Sequence, residues 1–255
     1  MLTVIRRLGL TNGLKLCLDA GHETSLPAAS TKWLDLSGNG FDFFRGTTAG
    51  ADATDPAING TPGRRSSSEY LSFDGGDFLR YDAANETWMQ NIHKDNAKFT
   101  LLSWLYWGAN GTPYRWVGTR GAGSGTGFLV AQSSSGNMTL SVQNAGANGL
   151  TYTTSVIPGF ALNTWSFAAV SLNEAVGANG AIMMINDGQE LITSTYVSPS
   201  AGNATEVMEI GALGGGGTPM PAGSRMSSFA AWEGVALSAE QLRAMYQATR
   251  GKFGV

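Results

Sequence analysis

Hydrolysis of a glycosidic bond needs two carboxylates set about 5–10 Å apart across a cleft. On a β-strand such a pair would occupy alternate positions, because residues i, i+2 and i+4 share a face. The long strand-like runs 99–107 and 164–172 contain no Asp or Glu. Glu206 and Glu209 are three apart and would point to opposite sides of a strand. Asp74 and Asp77 flank the Gly75-Gly76 turn, where a structural or metal role fits better. His22 and His93 stand outside any nucleophile motif, and one cysteine with two distant histidines does not make a zinc site. The expectation is a protein that is not an enzyme, with glycan hydrolysis as the last alternative.

Two other groups of residues have the right types for binding. Asp35, Ser37, Asn39 and Asp42 place oxygen atoms at near-alternate positions around Gly38 and Gly40. That spacing is the logic of a calcium loop, although the distal bidentate Glu of an EF-hand is missing. The competing reading is a turn in which Asp35 and Asn39 bond the backbone. The second group is Trp107, Asn110, Tyr114 and Trp116, which flank the Gly108–Pro113 turn. At a hairpin tip they could present aromatic rings and an amide to a sugar or a protein partner. Calcium is the one metal expected, and no other cofactor.

These residues must be positioned by β-structure. The 255 residues include 35 Gly but only 14% charged side chains, against about a quarter in an ordinary soluble domain. Short β-type runs separated by Gly, Ser and Asn recur along the chain. They are predicted at 14–19, 70–74, 78–81, 99–107, 115–120, 127–132, 138–143, 150–154, 164–172, 181–186, 189–195, 206–212 and 225–234. Run 99–107 is apolar on both faces, as a central strand covered on both sides must be. Asn186-Asp187-Gly188 marks a tight hairpin. Ser238-Ala-Glu-Gln241 is a capping box that opens a helix, with Leu242, Met245, Tyr246 and Thr249 on one stripe and Gly251 as its end. A shorter helix is predicted over 86–94. The fold class is therefore all-β, a sandwich with a short C-terminal helix, and residues 1–13 form an arm outside the domain of residues 14–255.

The composition excludes other classes. Heptads are absent, paired cysteines are absent, and a net charge of −3 does not suit a nucleic-acid binder. With 7 Trp, 11 Phe and 7 Tyr the chain has the core formers that a disordered chain lacks. No run reaches the roughly 18 apolar residues of a membrane span, and no secretory leader is recognised. The lone Cys17, in Leu14-Lys-Leu-Cys-Leu-Asp19, is expected to be a buried hydrophobe.

Three ordered segments carry a resemblance. They are Gly13-Leu-Lys-Leu-Cys-Leu-Asp-Ala-Gly21 with Lys32-Trp-Leu-Asp-Leu-Ser-Gly-Asn-Gly40; Tyr70-Leu-Ser-Phe-Asp-Gly-Gly-Asp-Phe-Leu79 with Trp104; and Thr164-Trp-Ser-Phe through Ile185-Asn-Asp-Gly188 to Ala236-Leu-Ser-Ala-Glu-Gln-Leu242. Together they resemble the laminin G-like branch of the concanavalin A-like lectin/glucanase superfamily. The resemblance implies a jelly-roll sandwich of two curved antiparallel sheets. The opening motif is similar to domains of tailed-phage virion structural proteins. It implies a capsid decoration or other outer-surface component of the virion, assembled in the host cytoplasm. Its expected partners are major capsid or tail proteins, further copies of itself, and host glycans, with neither nucleic acid nor membrane. The alternative is a carbohydrate-binding adhesion module. In the virion reading, residues 1–13 would add a strand to a neighbour.

Overall fold

The computed structural model describes all residues except 62, 82–86, 122, 124 and 200. In chain order its strands are β1 (Leu14–Asp19), β2 (Lys32–Trp33), β3 (Phe43–Arg45), β4 (Ala57–Asn59), β5 (Tyr70–Phe73), β6 (Leu79–Tyr81), β7 (Lys98–Tyr106) and β8 (Tyr114–Gly118). They continue as β9 (Gly127–Gln132), β10 (Met138–Asn144), β11 (Ala147–Thr153), β12 (Trp165–Asn173), β13 (Ala181–Ile185), β14 (Gly188–Ile192), β15 (Glu209–Ile210) and β16 (Ser224–Glu233). The helices are α1 (Leu2–Arg7), α2 (Thr87–Asn91) and α3 (Ala239–Thr249).

Among the described residues the strands form two eight-stranded antiparallel sheets. Sheet A runs β14-β13-β12-β7-β16-β5-β4, with β1 also paired to β16. Sheet B runs β11-β10-β9-β8-β15-β6-β3-β2. Strand β7 is central in sheet A, between β12 and β16. Its alternation explains its sequence: Phe99, Leu101 and Leu105 enter the core between the sheets, while Leu102 and Trp104 face outward. Sheet B supplies Trp116, Phe128, Val130, Leu140 and Val142 to the same inter-sheet core. The expected jelly-roll sandwich is the observed one.

Outward residues of sheet A build a second core, roofed by the chain itself. Cys17, Leu102, Trp104, Phe167, Ala230 and Trp232 lie beneath Ile5, Leu10, Leu242, Met245, Tyr246 and Phe253. The capping box forms as read: the Gln241 amide donates to Ser238 Oγ at 3.2 Å, and the Ser238 amide donates to Gln241 Oε1 at 2.9 Å. Leu242, Met245 and Tyr246 are the buried stripe of α3.

Three local expectations are corrected. Residues 1–13 are not an extended arm but enter this second core through α1, where Ile5 is fully buried and the Leu10 carbonyl accepts from Trp232 Nε1 at 2.7 Å. The apolar residues Ile5 and Leu10 are buried against the apolar outer face of sheet A. Gly251 does not end α3; the chain tightens there into a 3₁₀ turn, Arg250–Lys252. The helix read over 86–94 is confined to α2, and residue 86 lies outside the described residues.

Burial in this second core pushes the Cys17 thiol up to about 12. A group held as thiol is a poor nucleophile. Thiol reagents are therefore expected to leave the native protein unmodified and to label Cys17 once denaturant is added. Rapid labelling without denaturant would show that the roof opens readily.

Candidate functional site

The expected calcium residues do come together, but as a hydrogen-bonded latch. Asp35 Oδ1 accepts from the Cys17 amide at 2.9 Å and the Ser37 amide at 2.8 Å. Its Oδ2 accepts from Ser37 Oγ at 2.6 Å and the Phe41 amide at 3.3 Å. A carboxylate offers about four acceptor positions, and four donors already fill them. Asp42 Oδ1 accepts from the Asp35 amide at 2.9 Å, and Asn39 Nδ2 donates to the Leu14 and Lys15 carbonyls. This donor set does not fit a cation: it supplies N–H groups to the oxygens that calcium would need. The loop instead pins itself to β1. Asp35→Ala should cost about 2 kcal/mol by stranding the buried Cys17 amide. Thermal melts are expected to show that loss equally with calcium or with chelator.

The hairpin-tip group does not form a ligand site. Trp107 and Trp116 are 0% and 1% exposed and belong to the inter-sheet core. Tyr114 is half-buried against that core, and Asn110 alone is exposed. The physical reason is alternation plus a bulge. The register of β8 shifts between Arg115 and Val117, so that Trp116 and Val117 both turn inward.

The two outer faces of the sandwich differ. Much of sheet A's outer face is roofed by α1, α3 and the C-terminal turn. A cleft of 290 Å³ remains under that roof, lined by Trp104, Thr249, Lys252 and Phe253. Its charged groups are already paired within the chain: Asp19 bonds the Met1 ammonium, and Lys252 Nζ donates to Ser227 Oγ at 3.0 Å.

Over β8–β11, sheet B's outer face carries polar side chains on a small aliphatic floor. Leu129, Ala131 and Leu213 form the floor. One row across the strands reads Thr151, Ser141, Leu129, Gly118, and a second reads Thr153, Thr139, Ala131, Arg115. Neighbouring hydroxyls bond across the strands, with Thr139 Oγ1 2.8 Å from Thr153 Oγ1 and Ser141 Oγ 3.2 Å from Thr151 Oγ1. Gln143 Nε2 donates to Asn148 Oδ1 at 3.0 Å at one end of the strip. Arg120 Nη1 reaches Ser141 Oγ at 3.4 Å, which brings a second arginine onto the face.

A loop at 213–217 borders this strip. The Glu209 carboxylate accepts from the Gly215 and Gly216 amides at 3.0–3.2 Å and lies 3.8 Å from Arg80 Nε. Its side chain is fully buried, and burial raises its carboxyl above the usual range despite those donors. Gly118 is needed below the loop, because a Cβ there would lie 2.9 Å from Leu213 Cδ1. Glu209 thus holds a loop and has no exposed oxygen to offer a substrate.

In sequence alone, no curated protein matches. In structure, the chain is similar to the Trypanosoma rangeli sialidase solved with sialic acid, at TM-score 0.62 and 13% identity, over 94% of this chain and 34% of that one. It is similar to the binding domain of botulinum neurotoxin serotype D, at TM-score 0.61 and 12% identity, over 93% of this chain and 51% of that one. It is also similar to botulinum neurotoxin type C, in a structure described by its interaction with two ganglioside molecules, at TM-score 0.63 and 13% identity, over 94% and 52%. The chain spans about a third of the sialidase and half of the toxin chains, and such identities establish shared fold alone. The family profile described as the concanavalin A-like lectin/glucanases superfamily matches residues 79–243, well over half of the sequence. This chain belongs to the concanavalin A-like lectin/glucanases superfamily.

Proposed function

We propose that the protein is a non-enzymatic carbohydrate-binding module whose ligand lies on the outer face of sheet B, over β8–β11. The observation that carries this is the hydroxyl-lined strip itself. Thr139, Thr151 and Thr153 stand at the surface above Leu129 and Ala131, which are each only 2% exposed. A sugar ring carries hydroxyls that a row of threonine hydroxyls can pair with. Binding sites join an apolar surface with a few placed polar groups. The toxin relative described by its interaction with gangliosides adds weight to the reading. Against hydrolysis, Glu209 is buried and committed to Arg80 and the Gly215–Gly216 amides. A glycan-array screen tests the reading: selective binding supports it, while sugar release from a β-glucan panel would move it to hydrolysis.

The setting we propose for this module is the outer surface of a tailed-phage particle, as a capsid decoration or other virion component contacting capsid or tail proteins and copies of itself. The thin charge of 14% suits a surface packed against partners, and the opening motif 13–40 resembles such proteins. Mass spectrometry of purified particles tests this separately. Absence from the particles would leave a free-standing adhesion module.

A further inference from the structure

Resting on the reading of sheet B's outer face as a glycan site, we propose that its ligands are acidic glycans, held through an oxyanion on the sugar by Arg115 and Arg120. Arg115 lies in β8 and Arg120 two residues beyond its end, and both reach this face. Arg115 sits opposite Ala131, and Arg120 reaches Ser141 two strands away. Each is half-buried, and the Nε atom of each is shielded from water without a hydrogen-bond partner. Among the described residues no carboxylate lies within 4.0 Å of either guanidinium. Glu209, on the neighbouring strand, is taken by Arg80 and the loop amides. Glu206 lies beside Gly121, its Oε1 3.4 Å from where a Cβ would stand, and forms no ion pair within that limit.

The charges on this face are therefore unbalanced. Burial disfavours both guanidinium cations, and the charge of Arg115 adds to the penalty on Arg120. Holding two like charges in a half-buried place without a counterion costs stability. An incoming oxyanion would meet the solvent-facing side of the half-buried guanidinium groups and neutralise the pair. Guanidinium forks match carboxylate and sulfate oxygens with two parallel hydrogen bonds, which an ammonium cannot reproduce. The Thr139 and Thr153 hydroxyls would then meet the rest of the sugar, so charge selects the class and the strip supplies the contact.

The test is an array of neutral, uronic-acid, nonulosonic-acid and sulfated oligosaccharides, probed with the wild-type protein, R115Q/R120Q and R115K/R120K. Binding constants for the hits follow by calorimetry, with thermal melts to confirm folding. The wild type is expected to prefer acidic over matched neutral glycans by about tenfold or more, with affinity falling as salt rises. R115Q/R120Q should lose that preference and keep the weaker neutral binding, and the lysine pair should recover part of it. Should the glutamine pair fail to fold, R115Q and R120Q singly carry the same reading. Neutral glycans bound as well as acidic ones, or an unchanged preference in the glutamine pair, overturns the acidic assignment while leaving a glycan site. Equal binding of heparin and of DNA would reduce the arginines to a nonspecific anion patch and also overturns it. Binding to no glycan at all overturns both the assignment and the reading beneath it.

Discussion

Trp104→Ala is expected to destabilise the fold by about 3–5 kcal/mol, the range for truncating a large buried aromatic. Trp104 is fully buried in the outer layer of sheet A. Its ring stacks on Phe253 at 4.1 Å between centroids and packs edge-on to Phe167 at 5.7 Å. Its Nε1 donates to Thr249 Oγ1 at 2.9 Å, in the last turn of α3. One side chain thus joins the central strand, the C-terminal helix and the final turn. Trp104→Phe should keep most of the stacking and lose only the hydrogen bond, at about 1 kcal/mol. Denaturant titrations measure both. Because Trp104 lies on the opposite sheet from the proposed ligand face, the folded fraction of Trp104→Ala should bind glycan with wild-type affinity. A small loss of stability would mean that α3 and the C-terminal turn contribute little to the fold.

Thr139→Trp is expected to do the reverse, removing glycan binding while leaving stability within about 1 kcal/mol. Thr139 is half-exposed on β10 between Ala131 and Thr153, in the middle of the strip. Tryptophan suits a half-buried strand surface, so the sheet should accept it. The indole would project from the middle of the strip into the space of the ligand and displace the Thr139–Thr153 hydroxyl pair. Calorimetry against the best array hit should show no measurable binding. Retained affinity would place the ligand elsewhere on the molecule.

Periodicity made most of the sandwich legible. The two-sided apolar run 99–107 correctly marked the covered central strand, and the Ser238–Gln241 box marked the start of α3. The two- and three-residue strands β2, β3 and β4 were not legible, because so short a run shows no period of its own. The ligand strip was missed for a different reason. Its members come from the consecutive strands β8–β11 and the distant 213–217 loop, and which residues become neighbours depends on strand register. The bulge after Arg115 also reverses the alternation in β8, so parity counted from Tyr114 puts Val117 on the wrong face. Arg115 and Arg120 had a weak signal, as two cations in the otherwise core-forming run read at 115–120. The Asp35 latch shows the opposite limit. The right residues were grouped, but composition cannot tell oxygens awaiting a cation from oxygens already accepting amides.

Chemical-shift mapping of backbone amides during titration with the best glycan hit tests the central claim most directly. The largest shifts are expected on β8–β11, around Arg115, Ala131, Thr139, Ser141 and Thr153, with α1 and α3 unmoved. Shifts centred on the 108–113 turn, or on the cleft beside Trp104 and Lys252, would contradict it.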